Sequence, residues 1–256
     1  MTEALIKYYE LECNEDERMQ GDKAHSMEFL TTVRYFEKLF PKGAKVLYAC
    51  AGTGVYSFYL AEQGYKVTAG DVVPYNVSFI EKKQSERKLL EDIYTGDILD
   101  LYIFEDESFD VVLCMGALYH LQEKEKRTRA IKECLRVLKK GGILAVAYIN
   151  RKANILYNCA ELLENIDELM EYSKTGIKHT FYGSSPQEIN KMMTDVGIEA
   201  ICNIATDGIG YTMYPKINNS QDKVFEKWLG YHYATCEDES ILGYSLHGMY
   251  FGRKVE

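Results

Sequence analysis

The stretch VLYACAGTGVYS, residues 46–57, carries an apolar segment into Gly52 and Gly54 and then into helix-forming residues. Glycine removes the side chains that would keep a ligand away from the backbone, and the helix that follows offers N–H groups without intrahelical partners. Such a loop can hold a nucleotide-type cofactor, although glycine turns between strand and helix are common. Asp71 ends KVTAGD, seventeen residues after Gly54. A carboxylate there can accept charge-assisted hydrogen bonds from both hydroxyls of a ribose. Gly96 and Asp97 follow a third apolar segment in TGDILDL. Asp97 can take an adenine amino group while the next backbone N–H, that of Ile98, donates to the ring. FDVVLCMGALYHL (109–121) ends a strand-like run at Cys114–Met115, turns at Gly116 and then presents Tyr119 and His120.

These residues need elements to position them. SMEFLTTVRYFEKLF has helical apolar spacing, with Ser26 as its expected N-cap and Pro41 and Gly43 closing it. Strand-like runs then fall at 44–50, 66–71, 92–97, 109–116 and 142–150, with candidate helices at about 54–64, 75–89 and 122–139 between them. A glycine pair closes the last of these helices. Strand–helix alternation at this period predicts βαβ units and a mostly parallel sheet. Short continuous apolar strands fit a sheet covered on both faces. In such a sheet, ligands bind beyond the carboxyl ends of the strands at the topological switch point. After Asn150 the rhythm changes. Residues 151–186 read as an insertion with a helical core, 185–197 as a helix capped by Ser185, and 198–208 and 245–255 as strands around a second insertion. One domain over 1–256 is expected, with a helical lid at 1–40, a cofactor-binding core at 41–150 and acceptor-side insertions at 151–186 and 206–244.

The composition is that of an ordinary globular α/β protein, with 46% hydrophobic and 27% charged residues and a net charge of −9. A broad contact with nucleic acid needs a basic face. The densest basic run, KEKRTRAIKECLRVLKK, is interleaved with acids and reads as a solvated helix face. The polar, acidic N-terminus does not resemble a signal peptide. With no apolar run near the length of a membrane span, a cytoplasmic protein with no membrane partner is expected. Seven cysteines without a C-x-x-C pair argue against a disulfide framework or a zinc site, and no carboxylate cluster has metal-ligand spacing.

Any one of these motifs is ordinary, but their order and spacing together resemble the class I S-adenosylmethionine-dependent methyltransferases. FDVVLCMGALYHL…RVLKKGGILAVAYIN is similar to the bacterial small-molecule branch. The resemblance implies a Rossmann-like, doubly wound α/β fold: a seven-stranded, mostly parallel sheet with one antiparallel C-terminal strand and helical lid insertions. Carried over to this sequence, it implies that Tyr48, Ala49, Cys50, Ala51, Gly52 and Gly54 wrap the methionine part of S-adenosyl-L-methionine. Asp71 would hold the ribose, Val72 would flank the adenine, and Gly96, Asp97 and Ile98 would bracket its edge. Met115 and Gly116 would pass under the sulfonium, and His25 would close the near side. Tyr119 and His120 would face the acceptor. Two positions depart from the family pattern, which commonly has an acid at Tyr48 and a glycine at Cys50. The Tyr48 hydroxyl, or a carboxylate such as Glu10 or Glu28, is expected to compensate.

Methyl transfer from a sulfonium is an in-line displacement, so the chain mainly positions reactants and excludes water. If the acceptor needs a base, His120 is the first candidate and Tyr119 the second, with weaker claims for His25, His179, His232 and His247. Tyr148, Tyr182, Tyr211 and Tyr214 are expected to line the acceptor wall, which suits a flat aromatic or cationic small molecule. Two other readings stay open. A non-catalytic protein of the same fold would bind S-adenosylmethionine or regulate through it. An NAD-dependent oxidoreductase would need a third glycine where Ser57 stands.

Overall fold

The computed structural model describes residues 21–255, with the side chains of 160–162 outside the description. The N-terminal part of the expected lid, with Glu10, therefore lies outside the described residues. The chain begins with α1 (Lys23–Leu39) and enters β1 (Lys45–Tyr48), α2 (Val55–Glu62), β2 (Lys66–Asp71), α3 (Pro74–Arg87) and β3 (Asp92–Thr95). It continues through β4 (Phe109–Cys114), α4 (Lys124–Val137) and β5 (Leu138–Ile149). Three helices follow, α5 (Arg151–Tyr157), α6 (Cys159–Glu164) and α7 (Ile166–Thr175), and then a small hairpin of β6 (Ile177–Lys178) and β7 (Phe181–Tyr182). Next come α8 (Pro186–Asp195), β8 (Ile198–Ala205), a 3-10 turn (Gly210–Met213), α9 (Tyr214–Asn218), α10 (Asp222–Thr235), α11 (Glu239–Tyr244) and β9 (His247–Lys254).

Seven strands form one sheet in the order β3-β2-β1-β4-β5-β9-β8. The pairs from β3 to β5 are parallel, and β9 runs antiparallel to both neighbours. This is the seven-stranded, mostly parallel architecture expected from the sequence. The strand order reverses between β1 and β4, which makes their carboxyl ends the switch point. Because β9 is antiparallel, its first residue sits at the same edge of the sheet: His247 pairs with Ile149 at the end of β5, and Gly248 with Ala205 at the end of β8.

Period-two alternation explains why both faces are dry. Val46, Tyr48, Val111, Leu113, Ile143 and Ala145 pack on one face with Phe36 and Phe40 from the α1 region and Phe58 and Leu60 of α2. Leu47, Val112, Cys114, Leu144 and Val146 face the other way, onto Ala130, Ile131 and Cys134 of α4 and Ile189 and Met193 of α8. Truncating a fully buried leucine such as Leu47 to alanine costs about 2–5 kcal/mol at such positions.

Two boundaries differ from the sequence reading. Helix α1 starts earlier than Ser26: Asp22 is its N-cap, and its carboxylate accepts the His25 N–H at 2.9 Å, while the Ser26 hydroxyl turns back to the Lys23 carbonyl. Strand β5 begins at Leu138, ahead of the glycine pair. Leu138 pairs with Phe109, and Ile143 resumes the ladder opposite Val111 across an irregularity that Gly141 enters at φ 74°. By contrast, α8 has the expected Ser185 cap, completed by Glu188 as a reciprocal capping box. Among the described residues no helix is long and apolar enough to cross a membrane.

Candidate functional site

A cavity of about 760 Å³ opens over the carboxyl ends of β1, β4 and β5. Its size falls in the range of small-molecule and cofactor sites. Its near lobe is built by the loops after β1, β2, β3 and β4.

The 49–54 loop is tied down by Asp71, a residue 6% exposed. Oδ2 accepts the Gly52 N–H at 2.8 Å, and Oδ1 accepts the Val73 N–H at 2.9 Å and the Asn76 side-chain amide at 3.2 Å. The Ala51 N–H adds a bond to the Gly70 carbonyl. Asp71 therefore organises the glycine loop as well as facing the cavity. Tyr48, Ala49, Cys50, Ala51 and Gly52 line this lobe with Asp71 and Val72. Gly54 is not among the lining residues. At φ 87° it is the N-cap of α2, and an added Cβ would meet Ile80 and Phe58 side-chain atoms at 3.1 and 3.2 Å.

Cys50 keeps an ordinary backbone conformation. Among the described residues, positive φ outside glycine occurs at Lys88, Glu107 and His179. Replacing the family's glycine there thus carries no left-handed strain. A hydrogen bond with Cys114, together with burial, holds the Cys50 thiol well above its usual pKa, so it acts as a small neutral packing group.

At the third loop, Asp97 and Ile98 line the cavity, and Asp97 Oδ1 accepts the Leu99 N–H at 2.9 Å. Gly96 lies behind them, its N–H on the Asp71 carbonyl. The floor is Met115 and Gly116. Gly116 adopts φ 131°, a conformation that favours glycine, and a Cβ there would project into the floor in ordinary contact with the Cys50 carbonyl oxygen, at 3.5 Å. The Tyr48 hydroxyl donates to the Met115 carbonyl at 3.2 Å and ties the end of β1 to that of β4.

The far lobe lies beyond β4. Tyr119 and His120 both reach the cavity, and Phe181 of the β6–β7 hairpin packs against the His120 ring at 4.9 Å. Burial pushes the His120 pKa down to about 4, partly offset by a bond to the Thr180 backbone. His120 is therefore neutral near pH 7 but a weak base. Of the four tyrosines expected in the acceptor wall, Tyr148 and Tyr211 line the cavity. Tyr182 instead lies under the Arg127 guanidinium, 3.5 Å from its ring centre. Tyr214 donates to Asp22 and meets His25 Nδ1 at 2.9 Å. His25 is held in that same cluster, its ring edge-on to the lining Tyr211 at 6.1 Å, and is not itself among the lining residues of the cofactor lobe.

The opposite wall holds residues to which sequence reasoning gave little or no weight. His247 Nδ1 lies 2.7 Å from Asp207 Oδ2 and 3.5 Å from Glu28 Oε2. Asp207 is 2% exposed and is fixed further by the Ser245 hydroxyl at 2.5 Å. Glu28, Tyr211 and His247 all line the cavity. In the sequence Asp207 lies within the strand-like segment 198–208, with no role assigned to it. The usable signal was direction: an antiparallel last strand must begin where the parallel ones end.

Known proteins fit this geometry. Residues 47–146 match the family model of a methyltransferase domain. A ubiquinone biosynthesis O-methyltransferase of Xanthomonas axonopodis pv. citri is 34% identical over 114 residues, 44% of this chain and 46% of that protein. A putative methyltransferase of Bacillus subtilis, YqeM, is 31% identical over 43% of this chain and 44% of its own. The chain thus spans less than half the length of these curated relatives. Among solved structures, a SAM-dependent methyltransferase of Methanosarcina mazei superposes with a TM-score of 0.60 at 18% identity, covering 86% of this chain and 97% of that one. A SAM-dependent methyltransferase of Thermotoga maritima, titled a possible histamine N-methyltransferase, gives 0.58 at 19% identity over 99% and 100%. The fold is that of these S-adenosylmethionine-dependent methyltransferases, and the match to the methyltransferase-domain model covers residues 47–146.

Proposed function

We propose that the chain transfers a methyl group from S-adenosyl-L-methionine to a small-molecule acceptor. The observation that carries this reading is the continuous cavity over the switch point, whose near lobe combines a glycine loop anchored on Asp71 with the open floor at Gly116. The residues fit the cofactor: the gap a Cβ would fill at Gly116 gives it room, and the lining carboxylates suit its positive charge. S-adenosylmethionine, when bound, supplies an activated methyl on a sulfonium. The chain's part is to place it. Gly52 and its neighbours take the methionine part, Asp71 and Val72 the ribose and adenine, Asp97 and Ile98 the adenine edge, and Met115 and Gly116 the region under the reacting carbon. Holding two reactants in line converts a bimolecular encounter into a step within one complex, the main lever for such a displacement.

The described part of the 1–40 segment, with parts of the 151–186 and 206–244 insertions, supplies the acceptor wall through Glu28, Phe181 and Tyr211. This wall suits an aromatic or cationic small molecule. A net charge of −9 opposes nucleic acid as the acceptor. Calorimetric titration with S-adenosylmethionine and with NAD, side by side, tests the reading. Binding of the former alone is expected. Binding of NAD alone overturns it in favour of an oxidoreductase, and binding of neither favours a non-catalytic role.

A further inference from the structure

The described lining of the cavity as a whole is biased in charge. Glu28, Asp71, Asp97 and Glu123 line the cavity against one lysine, Lys126, which is paired with Glu123 at 2.6 Å. An acceptor bearing a carboxylate or phosphate would enter against this field, whereas a cation is drawn in. At the far end Glu28 stands beside His247, with side chains 18% and 19% exposed, and the Tyr211 ring lies 5.9 Å from the imidazole. A carboxylate beside an aromatic face suits an ammonium. The imidazole has a defined tautomer. Nδ1–H is given to the buried Asp207, which leaves the lone pair on Nε2, and a proton arriving there is stabilised by both carboxylates.

We propose that the acceptor is a small primary or secondary amine, docked as its ammonium on Glu28 under Tyr211, with His247 as the base that frees its lone pair. This rests on the methyl-transfer reading above and names its substrate class. In the step, the ammonium N–H proton passes to His247 Nε2. The freed nitrogen lone pair forms the new N–C bond, and the S–C bond breaks with its electron pair left on sulfur. The product leaves as the methylated ammonium, and His247 returns its proton to solvent. Among the described residues, Glu28 from α1, Asp207 from the loop after β8 and Tyr211 from the 3-10 turn face His247. Tyr157 packs on Tyr211, and His232 lies against Gly208 behind Asp207.

The test is calorimetry on the full chain saturated with S-adenosylhomocysteine, titrated with three matched probes: phenethylamine, 2-phenylethanol and phenylacetate. The amine is expected to bind at least ~10-fold tighter than either other probe, the scale of one charge-assisted contact. No amine binding, or equal or reversed order, overturns the proposal. Glu28→Gln should erase the preference while S-adenosylhomocysteine affinity stays within about three-fold, less than the loss of one such contact would cost. If the preference survives, or the variant loses the cofactor instead, Glu28 is not the acceptor anchor.

His247→Asn and His247→Gln, checked for native circular dichroism, address the base. Both should lower kcat for phenethylamine methylation by ~10²-fold or more. Their kcat/KM should rise with unit slope toward the amine's own pKa, where the wild type levels off earlier. Unchanged profiles, or a bound amine left unmethylated by the wild type, overturn the base assignment. A wild type that binds the amine but no S-adenosyl ligand sinks the methyl-transfer reading and leaves the amine site standing.

Discussion

The Gly52 amide donates to the Asp71 carboxylate at 2.8 Å, so one side chain fixes the glycine loop and also faces the cavity that loop encloses. The usual role of such an acid is to hold a ribose. Here it also accepts the Val73 N–H and the Asn76 amide, which makes the loop's shape depend on it before any ligand arrives. Asp71→Ala should therefore weaken S-adenosylmethionine binding ~100-fold or more and also destabilise the unliganded protein by about 2–3 kcal/mol, since buried N–H groups lose a charged acceptor. Calorimetry and urea unfolding without ligand check both. A loss of affinity with no change in stability would show that the loop holds its shape without Asp71.

Tyr48 stands where the family commonly has an acid, and its surroundings explain why an acid would not simply be restored there. The side chain is 4% exposed and packs in the face of the sheet shared with α1 and α2, and its hydroxyl joins β1 to β4 through Met115. Tyr48→Phe deletes that bond and should cost about 0.5–1.5 kcal/mol. Tyr48→Asp leaves a void and a poorly solvated carboxylate, so it should lower the melting temperature by more than Tyr48→Phe and bind S-adenosylmethionine more weakly than the wild type. Markedly tighter binding by Tyr48→Asp would show that the loop lacks only a charge.

The sheet was legible because alternation and strand–helix period are local properties: all seven strands lie where apolar runs stand, and Ser185, Pro186 and Gly197 bound a helix by their own chemistry. What stayed hidden depends on partners distant in sequence. Asp22 displaced Ser26 as the cap of α1 because it also reaches Tyr214, 192 residues away. His25 was drawn into that cluster for the same reason. Asp207 and His247 meet only because β8 and β9 are neighbours, and nothing within either segment announces the other. Tyr182 and Tyr211 carry the same expectation from the sequence, yet Arg127 claims the first and the cavity takes the second.

Gly116 offers a steric test. Its φ of 131° disfavours any side chain, and a Cβ would project toward the Cys50 carbonyl and the Tyr119 hydroxyl, at 3.5 and 3.7 Å. Gly116→Ala should destabilise the chain by about 1–3 kcal/mol and, by narrowing the floor, reduce S-adenosylmethionine affinity more than Gly141→Ala. The latter position also has positive φ, at 74°, but an added Cβ there meets nothing within 4 Å. Comparing the two separates backbone strain from occlusion. Equal losses of affinity in both variants would mean that Gly116 matters only through the backbone.

His120 gives a pH prediction with a definite sign. Burial lowers its folded-state pKa from 6.5 to about 4, so between these values the unfolded chain binds the proton and the folded chain does not. Stability supplied by keeping His120 neutral is thus complete above about pH 6.5, falls as pH drops toward 4 and levels off below that. The span corresponds to about 3 kcal/mol. Carboxylates and the buried His232, whose pKa burial also lowers, add their own slopes in acid, so the decisive quantity is a difference between two proteins. His120→Phe keeps the ring contact with Phe181 and cannot titrate. Its urea-unfolding stability minus that of the wild type should rise steadily as pH falls from 6.5 to 4. A difference that stays flat across that range would mean that His120 is solvated well enough to titrate normally, and would return it to contention as a base for the acceptor.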